Sequence, residues 1–177
     1  RILNRQRIKG RVDLFVSRFS KNGQESLESA LQFMQSAGVN APELLIHDAL
    51  YWKESGNQKE LAAGNGLAEI EEAVRAQIVK RLYPDKFHAY LLERGKRRGS
   101  SYWDVPIKAL GMDAEKIRTA SENAGDDILK LLYTKADLLK SMDAGGDIVL
   151  LAENCELIPV RSRRELREVL EKLSPKK

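Results

Sequence analysis

Between an apolar stretch and an amphipathic one the chain reads Ser17-Arg18-Phe19-Ser20-Lys21-Asn22-Gly23. Hydroxyl and amide side chains at such a place do one of two kinds of work. They cap the backbone N–H groups that a new helix leaves open, or they join those N–H groups in binding an anion or a peptide carbonyl. Nucleophilic work by Ser20 needs a base within hydrogen-bond reach, and none stands beside it in sequence. His47 is the candidate from further along the chain, and its plainer role is a packing or loop histidine. His88, next to Phe87, reads as a partly exposed helix residue. Cys155 is the one cysteine, so neither an intramolecular disulfide nor a two-cysteine redox centre can form within these 177 residues. We read it as an incidental cysteine at a turn. One cysteine and two distant histidines do not make a zinc site of ordinary ligand spacing.

Two basic clusters stand out. Arg94, Lys96, Arg97 and Arg98 precede Tyr102 and Trp103, a mixture that nucleic-acid binders use. Acidic residues are interleaved throughout and the net charge is only +4, so a solvated turn, with Trp103 in the core of a helical block, is the better account. Arg161, Arg163, Arg164 and Arg167 crowd the start of the last helix. Positive charge there opposes the helix dipole, a placement that a partner contact would explain.

The elements that must position these residues follow from periodicity. Arg11–Val16 reads as a strand, with Val12, Leu14 and Val16 on one face and Phe15 on the other, apolar enough for a sheet covered on both sides. A helix then starts near Asn22, which with Glu25 makes a capping-box-like pair. Leu27, Ala30, Leu31 and Met34 form its core stripe, and Gly38 suits the left-handed residue that ends it. Residues 43–47 read as a second strand, parallel to the first because the crossover is of helical length. Residues 48–66 are polar and glycine-containing and read as an extended loop. Helices dominate residues 67–140. Leu67, Ile70, Val74, Ile78 and Leu82 share one face, Ser101 and Asp113 stand as caps, and Asp126 or Asp127 starts a longer helix. After Ala144-Gly145-Gly146 the pattern becomes a hairpin, residues 147–152 and 155–160 around Glu153-Asn154, and a final helix capped by Ser162 with Glu165.

With 177 residues, 42% hydrophobic and 32% charged, the chain suits one well-buried domain, or a small domain carrying an inserted subdomain. The apolar runs fall far short of the roughly 20 residues a bilayer span needs. The opening RILNRQRIKGR has neither a starting Met nor an apolar signal-peptide core, and reads as a piece of something longer.

The βαβ, helical block, ββα order resembles the DsbA-like branch of the thioredoxin superfamily. RVDLFVS resembles its opening strand. GNGLAEIEEAVRAQIVKRLYPDKFHAYLLERGKR and SSYWDVPIKALGMDAEKI resemble its helical insertion. DIVLLAENCELIPVRSRRELREVLEKL resembles its closing hairpin and helix. The resemblance implies an α/β fold, a thioredoxin-like βαβ…ββα sheet with a helical insertion. It divides the chain into a basic linker or edge extension (1–10), a thioredoxin-like domain (11–66 and 141–177) and the insertion (67–140). It also places Ser20 where the family has its nucleophilic cysteine, with Gly23 near the second position. The stretch Gly145, Gly146, Asp147 and Ile148 occupies the place of the family's cis-proline loop, without a proline. A cis peptide before a non-proline residue costs about 2.5–4 kcal/mol, so that loop is expected to be trans or rebuilt.

The expectation is therefore a redox-inactive domain that binds a peptide or protein, or a neighbouring domain of its own polypeptide. Its groove is formed by the vestigial turn (Ser17, Phe19, Ser20, Asn22, Gly23), the Gly145, Gly146, Asp147, Ile148 loop and the insertion. The alternative is a thiol-disulfide oxidoreductase relative working with cysteines on another part of a longer chain. No cofactor and no metal are expected, nucleic acid is not favoured, and the resemblance alone suggests an extracytoplasmic, periplasmic location.

Overall fold

The computed structural model describes residues 1–175. The chain forms two compact units. The first is Arg1–Ala49 with the chain from Ser141 onward, and the second is Leu50–Lys140.

In the first unit, strand β1 (Arg11–Val16) lies between β2 (Glu43–Asp48) and β5 (Ile148–Ala152), with β6 (Glu156–Ile158) outermost. The β1–β2 pair is parallel, with Arg11 opposite Glu43 and Val16 opposite Asp48. The β5 pairings are antiparallel on both sides. Parallel pairing follows from α1 (Lys21–Ala37), which crosses between the two strands. A central strand in a covered sheet has nowhere to expose a side chain, and Val12, Leu14, Phe15 and Val16 are all fully buried. Helix α1 buries Leu27, Ala30 and Leu31 and packs on α7 (Arg163–Leu173), whose Leu166 and Leu170 are buried. Gly38 ends α1 with φ +55°, the conformation that glycine adopts without strain. The closing hairpin turns at Glu153 and Asn154, both with positive φ. The basic first residues lie along its edge: Leu3 N–H donates to Cys155 O at 2.7 Å, and Ile8 N–H to Glu153 O at 2.9 Å.

The second unit departs from the sequence reading at its start. Residues 50–66 do not form an extended loop. They hold a two-stranded hairpin, β3 (Tyr51–Ser55) and β4 (Gln58–Ala62), joined at Gly56-Asn57 with Gly56 at φ +61°. A glycine first in a two-residue loop suits a hairpin turn. Trp52 anchors it by donating Nε1–H to Asp137 at 2.7 Å, and Lys59 Nζ sits 4.1 Å from the indole centroid. Five helices follow: α2 (Leu67–Leu82), α3 (Phe87–Gly95), α4 (Asp104–Ala109), α5 (Ala114–Glu122) and α6 (Asp126–Ser141). Leu50, Ala73 and Leu132 form a core onto which Leu61, Ile70 and Val74 pack. Leu67, assigned from periodicity to the same face, is exposed at the first turn of α2.

Candidate functional site

The 17–23 turn is built from backbone and hydroxyl groups. Ser17 N–H donates to Asp147 O at 2.8 Å, which ties the turn to the loop that precedes β5. Ser17 O in turn accepts from Ser20 N–H at 3.2 Å and from Ser20 Oγ at 3.0 Å. Ser20 Oγ also accepts from Gly23 N–H at 3.0 Å, so Ser20 is the N-cap of α1. Asn22, expected from the sequence to be the cap, lies inside the first turn, exposed. The physical reason is position: the cap must have extended backbone geometry just before the first helical residue, and Ser20 has it with φ −84° and ψ 149°.

Gly23 is buried against the turn. A Cβ there would lie 1.9 Å from Ser17 O and 2.9 Å from Ser20 Oγ. Any side chain at this position, a cysteine included, forces the turn open.

Arg18 fastens the turn to β2. Its Nε donates to Asp48 Oδ1 at 2.7 Å and its Nη2 approaches Oδ2 at 3.4 Å, with both side chains buried. The sequence reading did not single out either residue. The available signal was an arginine directly after the apolar strand, with Asp48 at the end of the next one. Elsewhere on β1 and β2, Asp13 meets His47 Nε2 at 2.7 Å and Arg11 Nε at 2.9 Å. Burial pushes the Asp13 carboxyl up; the hydrogen bonds from His47 and Arg11 more than offset this and hold it below its ordinary range. His47 is thus committed to Asp13 and stacks against Phe15, ring centroids 4.7 Å apart. Ser20 is committed to capping. The two do not form a nucleophile–base pair.

Of the loop residues named from the sequence, Gly145, Gly146 and Asp147 are exposed and Ile148 is half-buried. Gly146 has φ +109°, and no described peptide bond is cis. Ile148 and Asn22 line one cavity of about 220 Å³ together with Glu25, Ser26, Arg161 and Arg163. Arg163 stands 3.9 Å from Glu25. Arg164 and Arg167 instead pair along α7, with Glu168 and Glu171. Ser17, Ser20 and Gly23 form the floor of the turn, and Phe19 is half-buried. Cys155 is half-buried on the β5–β6 hairpin. Among the described residues, no group of three or more His, Cys, Asp or Glu side chains is placed to hold a metal ion. No described helix is long and apolar enough to cross a membrane.

In the second unit, the basic cluster of residues 94–98 is only partly a surface feature. Arg94 is buried and donates to Glu72 at 3.0 Å and to the carbonyls of Arg97 and Ser100. Glu72, also buried, accepts from Tyr90 Oη at 2.6 Å and from Arg75 at 2.5 Å. Three donors on one carboxylate make its burial affordable in the low dielectric of a helix interface.

No protein-family model matches the chain, and no curated protein matches it in sequence. Solved structures do match in fold. The thiol-disulfide exchange protein alpha-DsbA2 from Wolbachia pipientis superposes with a TM-score of 0.69 at 15% identity, over 93% of this chain and 81% of its own. BdbD from Bacillus subtilis gives 0.69 at 11% identity, over 92% and 86%. A periplasmic thioredoxin-like protein from Salmonella enterica serovar Typhimurium gives 0.56 at 13% identity, over 92% and 83%. The chain therefore has the thioredoxin-like, DsbA-type fold seen in these structures, and its single cysteine lies outside the turn.

Proposed function

We propose that this chain, a DsbA-like thioredoxin fold, serves as a redox-inactive module that holds a segment of another polypeptide. The segment lies against the 17–23 turn and the loop of Gly145, Gly146, Asp147 and Ile148. The observation that carries the reading is Gly23, where a Cβ would lie 1.9 Å from Ser17 O. The turn is closed to a second sulfur, and Ser20 beside it works as a helix cap. What stays open is the cavity lined by Asn22, Ile148, Arg161 and Arg163. Two guanidinium groups next to the N-termini of α1 and α7 favour a segment carrying carboxylates. The same reading puts the protein outside the cytoplasm, where its fold relative from Salmonella is named as periplasmic.

Two assays test it. Insulin reduction by this chain with a thiol donor proceeds at the uncatalysed rate; catalytic turnover overturns the redox-inactive part. Fluorescence anisotropy with labelled acidic and basic peptides reads the binding part. Acidic peptides bind more tightly, and Arg161→Glu with Arg163→Glu weakens them by about fivefold or more. Equal affinity for both peptide classes, or no response to the double variant, removes the assigned groove.

A further inference from the structure

We propose that the helical unit carries a binding site of its own: a cavity beside Trp103 that takes a small ligand with one carboxylate on an apolar body. The cavity is about 370 Å³, within the range of small-molecule sites. Helix α2 supplies Glu71 and Arg75, the N-cap of α4 supplies Trp103, and α5 supplies Arg118, Ser121 and Glu122.

Trp103 is not closed into a core, as its sequence context suggested. It is half-buried, with the guanidinium carbons of Arg75 and Arg118 at 4.3 Å and 4.9 Å from its ring centroid. Stacking on an indole holds a guanidinium plane and leaves its N–H edge for acceptors. Arg75 uses Nη1 on Glu72. Its Nε–H is buried and has no partner, and neither has the buried Oγ of Ser121. Native interiors leave few such groups. Helix hydroxyls here normally bond the carbonyl four residues back, as Ser36 does to Gln32 O at 2.9 Å and Thr134 to Lys130 O at 2.8 Å. Ser121 does not.

Arg75 Nε can only donate, and Ser121 Oγ is free to donate. A group with two acceptor oxygens, such as a carboxylate, would satisfy both atoms. A dianion suits the cavity poorly. Glu115 pairs with Arg118 at 3.1 Å, Glu72 is shared by Arg75 at 2.5 Å and Arg94 at 3.0 Å, and Glu71 and Glu122 line the same cavity. The half-buried indole and Val74 give the cavity an apolar wall, which suits an apolar body on the ligand.

Titration with benzoate, benzamide and phenyl phosphate tests the assignment, read from the Trp103 indole N–H signal by NMR and assigned with Trp52→Phe. Benzoate shifts that signal saturably in the millimolar range, and benzamide does not. Ser121→Ala weakens benzoate about threefold and Arg118→Gln about tenfold, with melting curves confirming that each variant folds. Arg118 is largely exposed, so its loss leaves the Glu72 cluster intact. The proposal is overturned by benzamide matching benzoate, by phenyl phosphate binding more tightly, by unchanged affinity in both variants, or by no saturation at all.

Discussion

At the 17–23 turn, Ser20 Oγ donates to Ser17 O and accepts from Gly23 N–H, and Arg18 meets Asp48 with two nitrogens. Beside Trp103, Ser121 Oγ and Arg75 Nε are buried with no partner. Both places present hydroxyl and guanidinium groups next to a helix. The first has spent them on itself, and the second has not. A buried donor without an acceptor costs about 1–3 kcal/mol, and the ligand proposed for this cavity would remove that cost. The turn shows the opposite arrangement, in which the polar groups hold the backbone and leave little to offer a substrate.

That contrast breaks most visibly if the ion pairs beneath each place are removed. Arg18→Met leaves Asp48 buried alone, and Glu72→Ala leaves Arg94 and Arg75 without their carboxylate. Each is expected to lower stability by about 3–5 kcal/mol, measured by urea unfolding followed by circular dichroism. A loss under 1 kcal/mol in either would show that solvent already reaches the pair. Gly23→Ala comes next, at about 1–3 kcal/mol, because its Cβ meets Ser17 O at 1.9 Å. A neutral result means that the turn opens cheaply, which would weaken the case against a second sulfur there.

The third test is a pH slope. Asp13 is held below its ordinary value near 3.8. A depressed folded-state value contributes stability that is present above the unfolded value and is lost as pH falls through the folded one. Acid unfolding should therefore steepen as pH falls below about 3.8 and through the lower folded-state value, and Asp13→Asn should flatten it. An unchanged slope would mean that Asp13 does not carry it.

The smallest effects discriminate best. Ser20→Ala loses a cap and is expected to cost about 1 kcal/mol. Ser121→Ala removes an unpartnered hydroxyl from a helix interior and is expected to gain about 0.5 kcal/mol or stay neutral. If Ser121→Ala costs as much as Ser20→Ala, the hydroxyl has a partner and the contrast fails.

Much of the fold was legible because its signals are local. Arg11–Val16 is the strand read from its apolar run, α2 spans the stretch whose periodicity read as helical, and Ser162 caps α7 by accepting from Glu165 N–H at 3.2 Å. The hairpin at residues 51–62 was hidden by composition. Lys53, Glu54, Lys59 and Glu60 are exposed on it, so no apolar alternation marks the strands, and Gly56-Asn57 was the one available cue. Two good cap residues stood close together in sequence, and the cap is Ser20 because its backbone is the extended one just before the helix. The turn and the Gly145–Gly146 stretch were named from resemblance. Their junction, Ser17 to Asp147, is a backbone hydrogen bond between residues 130 positions apart.

By itself the sequence determined most of the strands and helices outside residues 50–66, and that one cysteine excludes an internal dithiol. These are properties of residue type and of spacing within a few turns of chain. The tertiary structure decided which polar atoms found partners. It closed Ser20, His47 and Arg18 into hydrogen bonds with Gly23, Asp13 and Asp48, and it brought Arg75, Trp103 and Ser121 together with two of their polar atoms unpaired. Hydrogen bonding acts at about 3 Å, and no local pattern reports which residues from separate elements will come that close.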